Sequence, residues 1–501
     1  MECCTLSLPT ELIVRILSFL SHDDLDACTF ACNELADIIE GTSSLSYILE
    51  LGVTGLQDCG ARDVTYPELL DILRTREHAW STLNWRATWK IPVIEAYMFW
   101  ELCGSAFFGT RLTGGPAPSH GVGFNTIDFY DLQEPTAVEP MQISFEKTFL
   151  NFGVDPGQNL VILLEFSETG SSPVWLLHVR AFSTGLRHPK ADVETIRVPV
   201  AHEQWSSPNG FPGNTDIQII GSILLFAQRR GPGCSGSISI INWKKGARIF
   251  TTYPVLGSWA CSLLSETEIL IAWRTSFVKQ TTLEYYELVS ESKKKWRSTS
   301  FELPFRDAER MWKPNYCYGQ ASFTFTEDSI IQPETYPFIH QPTPRIVAFR
   351  FYHDSFTPPN TARKIDMFLM VDNLRRFKTF GDTVPWDIWG PESTRIFSEV
   401  LPKMWQRVIR GFRAILPGSA TILDFNEGLW GEGDEGVVTE SSTISLDPEG
   451  KFRVTSGLPY KQMRLSYPSD CRTPMLGDTI ICAAEDLNER GRLKALRVLR
   501  F

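Results

Sequence analysis

The sequence lacks a long apolar segment and an obvious export signal. Although 43% of its 501 residues are hydrophobic, no run approaches the roughly 18 apolar residues of a membrane-spanning helix. The opening residues, MECCTLSLPT, show neither the basic stretch nor the apolar stretch of a secretory signal peptide. The 11 cysteines are scattered, odd in number and free of any CxxC pair, which is typical of reduced thiols. We therefore expect a cytoplasmic and/or nuclear protein with no membrane contact and no metal site.

Positive charge is scarce. The chain has 48 Lys and Arg against 59 Asp and Glu, a formal net charge of −11. Such a balance disfavours a bulk electrostatic grip on nucleic acid. One basic cluster, SKKKWR at residues 292–297, stands out. It is typical of a solvated hairpin tip, with an import signal or a phosphate contact as alternatives.

Sequence motifs of catalysis are missing. No GxSxG occurs, and His202–Glu203 lacks the second His that completes a metalloprotease motif. The segment GPGCSG, residues 231–236, matches GxGxxG, but it joins two apolar runs and contains Pro232, which has no N–H. This setting favours a hairpin loop over a dinucleotide site, which requires a helix N-terminus. We therefore predict no catalytic residue and no cofactor, and we do not expect an enzyme.

An acidic segment, DFNEGLWGEGDEG, begins at Asp424 and partly matches a calcium-binding EF-hand loop. Its sixth position is Leu429, where that loop requires Gly for a sharp turn, and its fifth is Gly428, which has no side-chain oxygen. We therefore predict a mobile acidic loop here.

The stretch LPTELIVRILSFL, residues 8–20, has the spacing of a helix but too many apolar residues for one buried face. Pro9 suits an early helical position, and Glu11 in the first turn is favoured by the helix dipole. A wide apolar stripe is formed by Leu12, Ile13, Ile16, Leu17 and Leu20, extended by Val14 and Phe19.

Two further helices are predicted. Ser21 with Asp24 begins the second, which keeps one apolar face and stops at Gly41. The third runs through SSLSYILEL and ends at Gly52. Three helices in about fifty residues make only a small core, so the surplus apolar surface of the first helix must face a partner or another part of the chain.

This arrangement resembles the F-box. The residues that carry the resemblance are Leu8, Pro9, Glu11, Leu12, Ile16, Leu20, Asp24 and Leu25. The resemblance implies that these residues bind a Skp-type adaptor, which links to a cullin and so to a ubiquitin ligase. Members often carry a basic residue after the Cys of the second helix, whereas this chain has Asn33 and Glu34. The alternative is an ordinary three-helix bundle packed on the rest of the protein.

A linker helix is predicted next. Thr65 and Glu68 form a capping box with Pro67 in the first turn. The segment RTREHAWSTLNW, residues 74–85, is similar to segments that follow the F-box in a group of F-box proteins of mushroom-type fungi. We assign residues 4–52 to the F-box and residues 53–94 to the helical linker.

From about residue 95 the pattern changes to paired apolar strands joined by polar loops. Such units start at residues 159, 221, 266 and 477. A lone hairpin is marginally stable, and stacking hairpins radially covers their faces. Residues 95–501 are therefore predicted to form a propeller-like domain of six or seven blades, with a pair of β-sandwiches as the alternative. Within it, residues 396–416 fit either a basic amphipathic helix or two strands, and Trp386–Asp387 is placed in a loop rather than in a WD repeat.

These patterns together predict an α + β multidomain protein: a small N-terminal three-helix F-box, a linker helix, then a large all-β propeller-like domain. The F-box resemblance implies a non-catalytic substrate receptor whose front binds the Skp-type adaptor and whose β domain selects an unknown target protein. A β-propeller binding module acting outside a ubiquitin ligase, and a propeller enzyme, are the alternatives.

Overall fold

The structure is a computed structural model. It describes residues 8–500 apart from the segments 61–62, 86, 93–96, 98, 113–122, 133–139, 169–172, 201–214, 229–235, 254–258, 275–280, 291–294, 306–310, 319–336, 355–362, 399–407, 417–420, 432, 447–452, 467–472, 477–479 and 487–491.

Five helices come first in the chain: α1 (Thr10–Leu17), α2 (His22–Ala31), α3 (Asn33–Gly41), α4 (Ser43–Thr54) and α5 (Tyr66–Thr82). Two short helices, α6 (Val371–Arg376) and α7 (Trp386–Ser393), lie much later. None of the helices in the described part of the chain is long and apolar enough to cross a membrane.

The predicted second helix is interrupted. Cys32 has an extended backbone (φ −161°, ψ 154°), so residues 22–41 form two helices, α2 and α3, instead of one. The predicted stop at Gly52 is also wrong, because α4 continues to Thr54 and ends at Gly55 in the left-handed conformation (φ 69°). Gly52 serves packing instead, since a Cβ there would collide with the imidazole of His22.

The linker helix has the predicted start. The Thr65 backbone N–H donates to Glu68 Oε2 at 2.8 Å, and both halves of the capping box are present. The helix ends at Thr82, and Leu83 adopts the left-handed conformation (φ 52°). Two short strands flank this helix, β1 (Leu56–Asp58) and β2 (Ala87–Pro92), both within the stretch assigned to the linker.

Most of the remaining chain forms antiparallel sheets of four strands that follow one another along the sequence. The first sheet contains β3 (Trp100–Cys103), β4 (Ala106–Arg111), β5 (Phe124–Asp131) and β6 (Met141–Phe149); the second contains β7 (Asn151–Asp155), β8 (Leu160–Ser167), β9 (Val174–Ala181) and β10 (Thr195–Pro199). The third contains β11 (Thr215–Ile220), β12 (Ile223–Gln228), β13 (Ser237–Asn242) and β14 (Ala247–Thr252); the fourth contains β15 (Trp259–Leu263), β16 (Glu268–Arg274), β17 (Thr281–Ser290) and β18 (Lys295–Glu302).

The later sheets are less regular. The fifth contains β19 (Met311–Tyr318), β21 (Ile346–Asp354), β22 (Arg363–Met370) and β24 (Thr394–Ser398), with β20 (Phe338–His340) in its first connection pairing with β1 instead. A short β23 (Thr383–Val384) runs parallel to β18 at the edge of the fourth sheet. The sixth contains β25 (Ile409–Arg410), β26 (Arg413–Leu416), β27 (Thr421–Asp424), β31 (Tyr460–Arg464) and the short β28 (Val437–Val438). A separate hairpin is made by β29 (Ser442–Ser445) and β30 (Arg453–Ser456).

The seventh sheet joins distant parts of the chain. It contains β32 (Thr473–Leu476), β33 (Ile480–Asp486) and β34 (Arg492–Arg500), and its fourth strand is β2. The register places Lys90 opposite Arg497 and Ile91 opposite Leu496. The strand that precedes the first sheet therefore completes the last one.

All four hairpins predicted from the sequence are confirmed. They correspond to β8–β9, β12–β13, β16–β17 and β33–β34, each antiparallel. The GxGxxG match connects β12 to β13, and its residues 231–235 lie outside the described part of the chain. For residues 396–416 the described part fits strands, because β25 and β26 pair around Gly411 (φ 58°). Trp386 and Asp387 begin α7, so the loop predicted there is wrong.

Buried apolar clusters connect each sheet to the next and the seventh to the first. Representative members on the two sides of these junctions are Phe108 and Phe152 (first and second sheets), Ile162 and Leu224 (second and third), Leu225 and Ile271 (third and fourth), Tyr285 and Phe349 (fourth and fifth), Phe368 and Leu423 (fifth and sixth), Ile415 and Ile480 (sixth and seventh), and Leu496 and Phe107 (seventh and first). Strands inside the sheets, such as β12 and β13, are buried at every residue, as expected for strands with both faces covered, whereas edge strands such as β10 alternate between buried and exposed residues.

Candidate adaptor-binding surface

Helix α1 has two adjacent apolar sides. Ile13 and Leu17 face inward and share a buried cluster with Leu25, Ile39 and Leu45 of the following helices. This small cluster is the core of the front bundle, as the sequence predicts for the inner side of the helix.

The other side of α1 faces solvent. Leu8, Leu12 and Ile16 are 47%, 48% and 54% exposed, and Phe19 just after the helix is 81% exposed. We call these four residues the exposed stripe. Burying one side chain of this size is favourable by about 1.5–3 kcal/mol relative to leaving it in water. A group of such side chains left exposed is therefore typical of an interaction site.

The ends of α1 are set by its own sequence. Pro9 is the N-cap rather than a residue of the first turn, and its carbonyl accepts from the Leu12 N–H at 3.0 Å. Glu11 lies in the first turn, where the helix dipole favours a negative charge. At the other end the Ser18 N–H donates to Val14 O at 2.9 Å, and the chain turns toward α2.

Helix α2 begins as predicted at Ser21. The Asp24 N–H donates to Ser21 Oγ at 3.2 Å, and Ser21 Oγ donates to Asp24 Oδ2 at 2.7 Å. This cap places Leu25 in the bundle core, where it is fully buried.

The eight residues named by the F-box resemblance therefore divide into two groups. Leu8, Pro9, Glu11, Leu12, Ile16 and Asp24 are exposed, and Leu20 is partly buried against the bundle core. Leu25 supports the bundle from inside and is not at the surface. Sequence reasoning assigned no binding role to Phe19 or to Phe30 of α2, which are 81% and 83% exposed. The apolar stripe predicted from the sequence already includes Phe19, which lies three residues after Ile16.

The front bundle is held to the β region through α5. Arg413 Nη2 donates to Glu77 Oε2 at 2.6 Å and its Nε donates to Asp424 Oδ2 at 2.9 Å, while the guanidinium lies 4.9 Å from the centre of the Trp80 ring. Burial alone would raise the pKa of Glu77, but the guanidinium groups of Arg413 and Arg76 outweigh it and hold that pKa below its ordinary value. These buried, charge-assisted contacts fix α5 on the sixth sheet.

Helix α4 is attached as well. Asn426 Nδ2 donates to the carbonyl of Val53 at 2.7 Å, and the Gln341 N–H donates to the carbonyl of Gly55 at 3.0 Å. The segment that begins at Asp424 is thus a docking turn for α4 instead of the mobile loop predicted from the sequence. Within the described residues no group of three or more His, Cys, Asp or Glu side chains is arranged to hold a metal ion.

A cleft of about 210 Å³ opens where α5 meets the sixth sheet. It is smaller than the roughly 300–1,000 Å³ of most small-molecule sites. Its buried carboxylates, Glu77 and Asp424, both pair with Arg413, and Glu77 pairs with Arg76 as well. We therefore assign the cleft to the junction and not to a ligand.

The junction contains a buried histidine. His340 of β20 is 4% exposed, and its Nε2 lies 3.4 Å from Nη2 of Arg76. Burial, together with the positive charges of Arg410, Arg76 and Arg413, lowers the pKa of His340 well below its ordinary value of 6.5. The imidazole is therefore neutral in the folded protein.

We expect this histidine to make the folded protein acid-sensitive. The unfolded chain takes up the proton below pH 6.5 while the folded chain does not, so stability is lost as pH falls from 6.5 toward the lowered pKa. Between pH 7.5 and 5.5 the free energy of unfolding should fall by about 1.4 kcal/mol more in the wild type than in His340→Gln. Urea unfolding of both proteins at the two pH values measures this, and equal losses would contradict it.

Comparison with known proteins adds a family match. A family model described as F-box-like matches residues 5–47. This range covers the exposed stripe and the helices that form the core beneath it. No curated protein matches the chain in a sequence comparison.

Solved structures show only distant similarity. A structure described in a study of two prolyl endopeptidases is 10% identical with a TM-score of 0.35, covering 94% of this chain and 53% of that one. Oligopeptidase B from Trypanosoma brucei with covalently bound antipain is 10% identical with a TM-score of 0.25, covering 53% of this chain and 38% of that one. Dipeptidyl peptidase 4 from Porphyromonas gingivalis is 11% identical with a TM-score of 0.28, covering 84% and 61%. This chain spans less than two thirds of each.

An exposed apolar stripe, a small core beneath it and the family match at the same residues point to one conclusion: the chain carries an F-box-like domain at residues 5–47, placed ahead of a large β-rich region.

Proposed function

We propose that this protein is a non-catalytic, substrate-recruiting adaptor of a Skp–cullin–F-box ubiquitin ligase. Its front binds the Skp-type adaptor, and through it a cullin, while the β region binds a target protein. The observation that carries the proposal is the exposed stripe on the F-box-like domain. Exposed apolar side chains of this kind are typical of a surface that another protein covers in a complex.

We further propose that the β region is a seven-bladed propeller beginning at β2, which would start the domain earlier than residue 95. Three observations support this. Successive sheets share buried clusters, and another cluster returns from the seventh sheet to the first. A hydrogen bond also links the first strands of two neighbouring sheets: Gln218 Nε2 of β11 donates to the carbonyl of Cys261 of β15 at 3.2 Å. Completion of the last sheet by β2 gives the closure that a ring requires.

A recruiting adaptor works by raising the local concentration of its target protein near the ligase. A receptor that holds a target near a ligase makes the transfer step effectively intramolecular, without taking part in the chemistry. The buried contacts of Arg413 and Asn426 support this role, because they hold the front bundle in one orientation relative to the β region. We place the protein in the cytoplasm or the nucleus, where a ubiquitin ligase acts.

The proposal is tested with Ile16→Asp in the full chain. Charge placed in the exposed stripe should weaken binding of a purified Skp-type adaptor at least about 100-fold, because the carboxylate would be buried without a partner at the interface. Ile388→Asp is the matched control, since Ile388 lies on α7 and is 55% exposed against 54% for Ile16. Binding is measured by calorimetry, and both variants should unfold at the temperature of the wild type.

Two results would overturn the proposal. If the wild type does not bind the Skp-type adaptor, the front bundle serves a different partner, as in a β-propeller binding module acting outside a ubiquitin ligase. If Ile16→Asp and Ile388→Asp bind equally well, the adaptor docks elsewhere on the chain.

A further inference from the structure

The structure brings together two basic segments that are about 80 residues apart in the sequence. One is the end of the SKKKWR cluster at the start of β18, and the other is RRFKTF at residues 375–380. The Gly381 N–H donates to the carbonyl of Ser298 at 3.1 Å, and β23 then runs parallel to β18. This pairing sets the second segment against the first.

Two cations, Arg297 and Lys378, lie over the ring of Phe380 at this edge of the fourth sheet, and each has a further cation two residues before it in the sequence. Lys295 and Arg297 project from the same face of β18, and Arg376 and Lys378 lie at and just after the end of α6. Phe380 is 38% exposed and lies beneath the Arg297 guanidinium, whose carbon is 4.1 Å from the ring centre. We call these five residues the basic rim.

The basic rim is only partly neutralised by the chain itself. Glu287 is shared between Arg297 at 3.8 Å and Lys378 at 3.6 Å, both longer than hydrogen bonds. Lys295 and Arg376 are exposed and form no ion pair with any residue that the structure describes. Asp382 lies close by in sequence but pairs with none of the four within the same part of the chain. Positive charge thus collects locally on a protein whose net charge is −11.

The guanidinium of Arg297 is held in an orientation that suits the binding of an anion. Stacking on Phe380 holds the guanidinium plane by a cation–π contact, and the Glu287 carboxylate lies 3.8 Å from its Nη2, beyond hydrogen-bond distance. Its side chain is 46% exposed. A planar guanidinium held in this way binds a carboxylate through two parallel hydrogen bonds.

From these contacts we propose that the basic rim is a docking site for an acidic segment of a protein. Charge complementarity selects an anionic partner, and the exposed Phe380 ring adds an apolar contact that suits a peptide. Nucleic acid is disfavoured, because a duplex would bring many phosphates close to a chain of net negative charge. That this acidic protein is the target recruited to the ligase rests on the proposed function, whereas peptide binding at the rim does not.

The proposal is tested with a labelled ten-residue poly-glutamate peptide and the full chain, by fluorescence anisotropy without the Skp-type adaptor. Arg297→Ala with Lys378→Ala should weaken binding at least about tenfold, since two charge-assisted contacts are lost. Lys245→Ala with Arg248→Ala removes the same charge from the exposed turn and edge of the third sheet and should change affinity less than about twofold.

A second variant moves affinity in the opposite direction. Glu287→Gln frees Arg297 and Lys378 and should tighten binding about three- to tenfold, whereas Glu392→Gln, at an exposed position on α7, should not. Because Glu287→Gln is a gain, a folding defect cannot imitate the expected result.

Several results would overturn the docking site. These are no binding of poly-glutamate by the wild type, an equal loss in the rim and control double variants, or tighter binding of a single-stranded oligothymidine than of the peptide. A phosphoserine peptide serves as a further arm: stronger binding than poly-glutamate would assign the same site to phosphorylated segments. None of these results alters the adaptor measurement with Ile16→Asp, so the two proposals fail separately.

Discussion

Replacing Asp366 by Ala is expected to lower the free energy of unfolding by about 3–5 kcal/mol. Asp366 of β22 and Arg350 of β21 form a bidentate pair at 2.7 and 2.8 Å, and both side chains are 0% exposed. Removing the carboxylate takes away two charge-assisted hydrogen bonds from a guanidinium that is buried in the fifth sheet. Urea unfolding followed by tryptophan fluorescence measures the loss.

A double-variant cycle separates the ion pair from the packing around it. The double change Arg350→Leu with Asp366→Leu should cost less than the sum of the two single changes, because each single change keeps one charged member of the buried pair and the double change removes both. Glu50→Ala provides a surface control: its partner Arg74 is 61% exposed, and the loss should stay below about 1 kcal/mol. Additive single changes would show that the pair contributes nothing beyond its separate side chains.

Introducing charge into β2 is expected to unfold the whole β region and not merely its edge. Ile91 is 6% exposed and belongs to the cluster that joins the seventh sheet to the first. Ile91→Asp should lower the free energy of unfolding by more than about 3 kcal/mol, since a carboxylate would be buried among apolar side chains. Lys90→Asp is the control, because Lys90 is the neighbouring residue and is exposed.

Truncation gives a second view of the same strand. A fragment of residues 95–501 lacks β2 and leaves β34 as an open edge, which favours aggregation. A fragment of residues 85–501 keeps the strand and should be more soluble and more stable than the shorter fragment, and the comparison isolates residues 85–94 because both fragments lack α5. Equal stability of the two fragments would show that β2 closes nothing and would favour separate β-sandwiches.

Local signals in the sequence predicted much of the secondary structure. The caps at Ser21 and Thr65 depend on neighbouring residues alone, and both are present. The four hairpins also follow from short-range patterns, since each joins two apolar strands through one polar loop.

Long-range pairing was beyond these signals. The partner of β2 is β34, which no local pattern near residue 90 indicates. The break at Cys32 was missed because the apolar spacing of residues 25–39 continues unchanged through the extended residue. The segment that begins at Asp424 was predicted to be mobile because its own sequence does not show what holds it. Asp424 accepts from Arg413, and Asn426 donates to the carbonyl of Val53 in α4.

The exposure of the front helix was predicted in outline, and its binding role stays a prediction. An excess of apolar residues in and around α1 indicated a partner surface, and the exposed stripe lies on that helix and just beyond its two ends. Spacing alone could not separate Leu25, which is buried, from Leu12, which is exposed, because both fit an apolar helical position. The basic rim was not predicted because RRFKTF is about 80 residues from SKKKWR in the sequence. Only the pairing of β23 with β18 places the two segments side by side.

The pairing of β2 with β34 also governs how the chain matures during its synthesis. Residues 87–92 leave the ribosome about 400 residues before their partner at residues 492–500. At roughly 5–20 residues per second, translation keeps this strand waiting on the order of 20–80 s. During that interval the unpaired backbone N–H and C=O groups of β2 are available to other nascent chains. The yield of folded protein then depends on protection of this strand by chaperones.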